Sequence, residues 1–353
     1  MNPYQQLAQA LDALPNGFPP TPDGAELRLL EKLYTPEEAT LTAKLSPRLE
    51  SSEQIAARLG LVHADLRKML KSLAKRGLIE AGRAETGLGY AILPFVVGIY
   101  EYQAASLDAE LAELFEAYFQ HGFHRALEIK PQVHRVIPIG ESVKNNMEIR
   151  PYESAAGLVD SMEAWGVIDC ICRKQKALIG QPCEHPLDVC MMLSDRSGAF
   201  DASPVIRASS REEAHATLRR AAQAGLVHSV SNNQEGLFYI CNCCTCSCGI
   251  LRGMAELGIA NVVASSAFVL QVDEEICHAC GVCIENCAFE ALSMGLTVEV
   301  NQIRCVGCGV CVQSCPSEAL GLVRRPEEQV KPIPETMDDW RLQRDEARRT
   351  GLQ

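Results

Sequence analysis

Apolar residues recur at helical spacing through the early part of the chain and give way to short runs further on. Leu27, Leu30 and Leu33 mark one face of a first helix. Thr35, with Pro36 behind it and Glu38 three residues on, reads as a capping box opening a second. Ser51 and Gln54 open a third, Gln54 to Leu59, closed by Gly60. The next runs from about Ala64 to Arg76, with Leu66, Met69, Leu70 and Leu73 on one face and Gly77 as its stop. Leu78–Ile79 and Tyr90–Leu93 then read as strands around a glycine-containing loop. Helices followed by such a wing predict a winged helix-turn-helix over Ala25–Leu93.

Further on, Leu111, Leu114, Phe115, Tyr118 and Phe119 form the buried stripe of a helix expected over Leu107–Leu127. Gln132–Ile139 alternates as a strand, and Ser154–Trp165 reads as a helix leading into Cys170. Ser210 and Glu213 cap another helix that ends at Gly225, and Leu237–Ile240 reads as a short strand. From Arg324 onward charge and proline dominate, which predicts a short exposed helix, little core and a loosely packed Trp340. The longest apolar stretch, Val262–Val272, is broken by Ser265, Ser266 and Gln271, too short to span a bilayer. No basic-then-apolar leader opens the chain, so the expected location is cytoplasmic.

A length of 353 residues allows two or three domains. Aromatic residues make up only 5%, so the cores are expected to be mostly aliphatic. The net charge of −12 disfavours a chain that coats nucleic acid or an anionic membrane, and suits docking on a basic partner. Between Lys44 and Arg83, however, nine Lys/Arg face four Asp/Glu. Arg67, Lys68, Lys71, Lys75 and Arg76 on the second helix of the expected motif suit DNA binding. They equally suit the solvated face of a docking or dimerisation module.

Cysteine changes the picture most. There are seventeen, none before Cys170, which marks a domain boundary. In a reducing compartment such density at short spacing reads as metal ligation and not as a disulfide framework. Cys277, Cys280, Cys283 and Cys287 repeat, 28 residues later, as Cys305, Cys308, Cys311 and Cys315. Both runs are CxxCxxCxxxC, and ACGVCIENCAFEAL matches GCGVCVQSCPSEAL at most positions. A loop with cysteine at every third residue wraps three corners of a cubane. The fourth cysteine of each run is expected to start a helix pointing at the other cluster. Crossed ligation follows: Cys277, Cys280, Cys283 and Cys315 on one 4Fe–4S cluster, Cys305, Cys308, Cys311 and Cys287 on the other. Gly281 and Gly309 relieve the crowded loops and leave amides free for the sulfides.

Nine cysteines remain: Cys170, Cys172, Cys183, Cys190, Cys241, Cys243, Cys244, Cys246 and Cys248. Three readings stay open for a subset of them: a third iron–sulfur cluster, a Cys₄ zinc site, or free or redox-active thiols. If extended, the segment faces Cys241 and Cys243 one way and Cys244, Cys246 and Cys248 the other. Pro182 and Pro186 suggest a rigid loop around Cys183, so one site can draw on both stretches. His185 is either a further ligand or an ordinary loop residue, and Arg173 is placed to hold a thiolate or an anionic cluster.

The segment from about Val272 to Val323 resembles the bacterial-type two-cluster ferredoxins, departing from their usual proline at Ala288. Over most of its length the chain resembles 4Fe–4S dicluster proteins of anaerobe type with an N-terminal winged-helix region. The resemblance rests on TPDGAELRLLEKLYTPEEA, PFVVGIYEYQ, the CICR and CNCC elements and the repeat; CNCCTCSC has Ser247 where relatives often show another cysteine. It implies electron transfer. The expected fold is α+β: a winged-helix-like region over 1–105, a helical, cysteine-rich α/β domain over 106–260, a ferredoxin-like module over 261–323 and a charged tail over 324–353. The expected function is single-electron relay to or from an oxidoreductase partner, as a carrier or subunit more than a free-standing catalyst. A redox-responsive DNA-binding regulator and an oxidoreductase with its centre in the middle domain are the alternatives. No Gly-rich nucleotide fingerprint, Ser/His/Asp arrangement or HExxH motif is present.

Overall fold

A computed structural model describes residues 2–85, 87–143, 149–259 and 261–351. Its contacts divide into two units: residues 1–129 with 174–181 and 344–353, and residues 130–173 with 182–343.

The first unit opens with helices Pro3–Asp12, Ala25–Leu33 and Pro36–Thr42, followed by Ser52–Leu59 and His63–Lys75. The capping boxes read at Thr35/Glu38 and Ser51/Gln54 are both formed, and Gly60 closes its helix in the left-handed region at φ 66°. Strands β1 (Glu50–Ser51), β2 (Glu80–Ala84) and β3 (Gly87–Ala91) make an antiparallel sheet in the order β1-β3-β2. The first of the two expected strands begins later, with Leu78 and Ile79 buried in the connection before β2, and the second begins earlier, at Gly87 in place of Tyr90. Residue 86, in the loop expected as the wing, lies outside the described residues. The core is more aromatic than composition suggests. Phe18, Phe95, Tyr100, Phe115 and Tyr118 pack together, with Tyr100 and Phe115 stacked at 3.8 Å between centroids.

The C-terminal segment corrects the expectation of a loose tail. Met337–Thr350 is helical, Trp340 is 3% exposed and its indole donates to the Gln132 carbonyl at 2.9 Å. Arg344 is wholly buried and donates to the Pro15 and Ala126 carbonyls at 2.7 and 2.6 Å. Ala126 lies at the end of helix His124–Glu128, where carbonyls lack helical partners. The missed signal is Thr336 with Asp339, whose side chains and amides bond reciprocally at the helix start.

The second unit is built on six strands: β4 (His134–Val136), β5 (Ala164–Ile168), β6 (Cys190–Ser194), β7 (Arg207–Ser209), β8 (Val227–Ser231) and β9 (Tyr239–Cys243). Their order is β4-β8-β9-β6-β5-β7 and every ladder is antiparallel, so α+β replaces the α/β label expected here. Helices Ala155–Asp160 and Arg211–Gln223 lie over a core that includes Leu158, Val159, Met191, Leu193, Leu218 and Ile240. The helix expected to reach Trp165 ends at Asp160. Trp165 belongs to β5, and its indole donates back to the Val159 carbonyl at 2.8 Å.

The same unit contains β10 (Phe268–Val272), β11 (Leu292–Met294), β12 (Val298–Val300) and β13 (Leu320–Arg324), paired antiparallel as β10–β13 and β11–β12. Two segments brace the second cysteine loop. Ile139 N–H donates to the Cys308 carbonyl at 3.0 Å, Ser142 Oγ to Gly309 at 2.9 Å, and Ser266 Oγ to Gly307 at 2.8 Å.

The buried sheet carries an acid liability. Burial lowers His134 and His228 to about 4. His134 is packed between the Tyr239 and Ser229 hydroxyls, while His228 meets the Asn242 side chain. An unfolded histidine binds its proton near pH 6.5, so between 6.5 and about 4 the unfolded chain holds more protons. Stability is therefore complete above pH 6.5 and falls as pH drops through that window, by about 3 kcal/mol per histidine. Denaturant midpoints from pH 7 to 4 check this; His134→Gln is expected to flatten the slope by roughly half.

Candidate metal centres

The cysteine repeats present two matching frames. Gly281 and Gly309 adopt φ 80° and 82°, and each opens a one-turn helix, Val282–Glu285 and Val310–Gln313. A side chain is rarely tolerated at that dihedral, which explains glycine there. The turns place Cys283 and Cys311, both buried, at their second positions. The fourth cysteine of each run opens a turn and then a strand, in place of the expected helix, because the chain must pair in β11 and β13 directly afterwards.

The grouping of thiols is crossed. Cys283 is raised by burial and by the charges of Cys315, Cys280 and Cys277. Cys308 is pushed to about 12 by burial and by Cys287 and Cys305. Cys311, also raised by burial, feels Cys308, Cys287 and Cys305 next, and Cys283 of the other set last. Cys287, Cys305, Cys308 and Cys311 line one small cavity with Phe289 and Leu270. Burial disfavours the free thiolates of Cys287, Cys308 and Cys311; together with Cys305, around a space walled by apolar side chains, they fit a cationic iron core that takes up their charge. Backbone amides serve the frame too: Ala291 N–H donates to Cys287 Sγ at 3.3 Å.

Residues 298–321 match the family model described as a 4Fe-4S binding domain. The chain carries a 4Fe-4S binding domain in this segment, which supports an iron–sulfur protein. The match covers Cys305, Cys308, Cys311 and Cys315 and begins after the first repeat. No curated protein and no solved structure gives a significant match. Among the described residues, no helix is long and apolar enough to cross a membrane.

All seventeen cysteines are free, and the nine outside the repeats fall into two sets. Antiparallel register aligns Met191 with Ile240, so Cys190, at the start of β6, comes opposite Cys241 within β9. The expected strand over Leu237–Ile240 is shifted to Tyr239–Cys243, which puts Cys241 and Cys243 inside it on one face. Their thiols join a closed ring: Cys170 meets Cys172 and Cys190, Cys190 meets Cys241, Cys241 meets Cys243, Cys243 meets Cys248, and Cys248 meets Cys172. The expectation that Cys248 faces away from Cys241 and Cys243 is corrected. After Cys243 the strand ends and the backbone turns, with Cys248 N–H bonded to the Cys244 carbonyl at 3.1 Å. Within the ring the neighbouring thiols Cys170 and Cys241 hold Cys190 well below its ordinary value, while contacts with neighbouring thiols, then burial and their charges, leave the other five raised.

Cys183, Cys244 and Cys246 stand apart from the ring, and His185 joins them. In the sequence His185 is legible only as an open alternative. Its signal is the spacing Cys-x-His opposite Cys-x-Cys, which in extended chain turns both members of each pair to the same side. Cys244 is lowered to about 6, because His185, Cys246 and Arg173 outweigh its burial, and His185 is raised to about 8 chiefly by Cys244. Arg173 serves both sets. Burial disfavours its charge, but Cys170, Cys244 and Cys190 outweigh this and raise it. It also donates to the Pro186 and Asn242 carbonyls, at 2.7 and 2.5 Å, tying together the two ligand-bearing segments.

Proposed function

We propose that this protein relays single electrons through two 4Fe–4S clusters, one framed by each cysteine repeat, with a third, iron–sulfur centre on the six-thiol ring. The crossed grouping of Cys315 with the first repeat and Cys287 with the second carries the reading, since a pseudo-twofold module shares its fourth ligands in this way. The ring supports a third centre: Cys170, Cys172, Cys190, Cys241, Cys243 and Cys248 supply more thiolates than one cubane uses, with Arg173 to offset the charge. The cofactors supply the electron chemistry. The chain holds them, excludes water from Cys283 and Cys311, and sets potential through amide and guanidinium contacts. An oxidoreductase in a reducing, cytoplasmic setting is the partner this implies. Spectroelectrochemical titration of the anaerobically purified chain is expected to show at least two reversible one-electron couples. Irreversible bleaching without a reversible couple would overturn the relay.

The alternative of redox-responsive DNA binding is favoured by one observation. Helix His63–Lys75 exposes Arg67, Lys68, Lys71 and Lys75 beside the three-stranded sheet of a winged-helix-like arrangement. Arg76, by contrast, is engaged by Glu38. DNA affinity that falls with salt and changes on oxidation supports this use; no binding at about 50 mM salt excludes it.

A further inference from the structure

We infer that Cys183, His185, Cys244 and Cys246 hold a single tetrahedral zinc ion, separate from every iron–sulfur centre of the chain. The four ligand atoms all lie within 4.8 Å of one another, and Cys246 Sγ stands 3.5 Å from His185 Nδ1. Thiolates sharing one zinc at ~2.3 Å sit about 3.8 Å apart, so mutual closeness of all four is what a mononuclear site requires. A cubane instead carries one thiolate on each of four different irons and holds them further apart.

The chemistry of the set agrees. Cys₃His is a structural zinc combination, with no ligand position left for substrate. Ser247 is buried and donates its hydroxyl to Cys183 Sγ at 3.4 Å, an outer contact that orients a ligand. Serine at position 247 therefore leaves the four-ligand set complete. The site joins the segment around Cys183 to the turn after β9, the same two stretches that Arg173 bridges through Pro186 and Asn242. Zinc is redox-inert, so this site carries no electrons; its presence is independent of the relay reading.

Metal analysis of the full chain, purified anaerobically from medium containing both metals, tests the assignment. About one zinc per chain is expected beside the iron. His185→Ala is expected to lose that zinc while the reduced-state EPR of the two ferredoxin-type clusters persists, and His185→Cys, which rebuilds a Cys₄ site, to retain it. Cobalt(II) loaded in its place should give the intense visible bands of a tetrahedral thiolate complex. Absence of zinc, zinc that survives His185→Ala, iron in its place, or weak octahedral cobalt bands would each overturn the proposal. Loss of the EPR signals from the unsubstituted chain would instead count against the relay.

Discussion

Replacing Cys287 with serine is expected to remove the cluster framed by the second repeat, and replacing Cys315 the cluster framed by the first. Each loss should lower the iron count by about four and delete a different component of the reduced-state EPR spectrum. Sequence proximity argues the opposite, since Cys287 follows Cys283 by four residues. The fold overrides proximity: Cys287 shares a cavity with Cys305, Cys308 and Cys311, and the charge of Cys315 acts on Cys283. Serine keeps the side chain's size but is a poor iron ligand, so the effect reads ligation more than packing. Each variant deleting the signal of its own run would show uncrossed ligation.

Gly307→Ala is expected to be as severe without touching a ligand. Gly307 has φ 68°, and a Cβ there would lie 2.1 Å from the Phe268 carbonyl oxygen and 2.4 Å from Ser266 Oγ. Neither neighbour can retreat cheaply. Phe268 is paired with Arg324 in the β10–β13 ladder, and its carbonyl accepts from Arg325 Nε at 3.0 Å. The left-handed dihedral and the overlap together cost about 3 kcal/mol or more. Because Gly307 adjoins Cys308, the second-repeat cluster should load poorly. Gly60→Ala is the control: φ is 66° but the space is open, so the cost is only about 1 kcal/mol. Denaturant midpoints and iron content measure both.

What could be read from the chain follows from how local each signal is. Capping boxes at Thr35, Ser51 and Ser210 are decided within four residues, and all three are present. The repeat is similarly explicit, because cubane ligation imposes a spacing. The tail reads as loose because the partners of Trp340 and Arg344, namely Gln132, Pro15 and Ala126, are some 200 or more positions away along the chain. The nine other cysteines show the same limit. Their separation into six and three depends on the register of β6 against β9 and on the turn after Cys243, neither of which spacing reveals. The two units are also discontinuous in sequence, which a linear division by composition does not express.

The most direct test of the central claim is an iron and acid-labile sulfide count on the full chain, purified anaerobically. Two cubanes in the repeats predict at least about eight of each per chain, rising to about twelve or more with the six-thiol ring filled. Four or fewer in fully folded, anaerobically handled protein would contradict it.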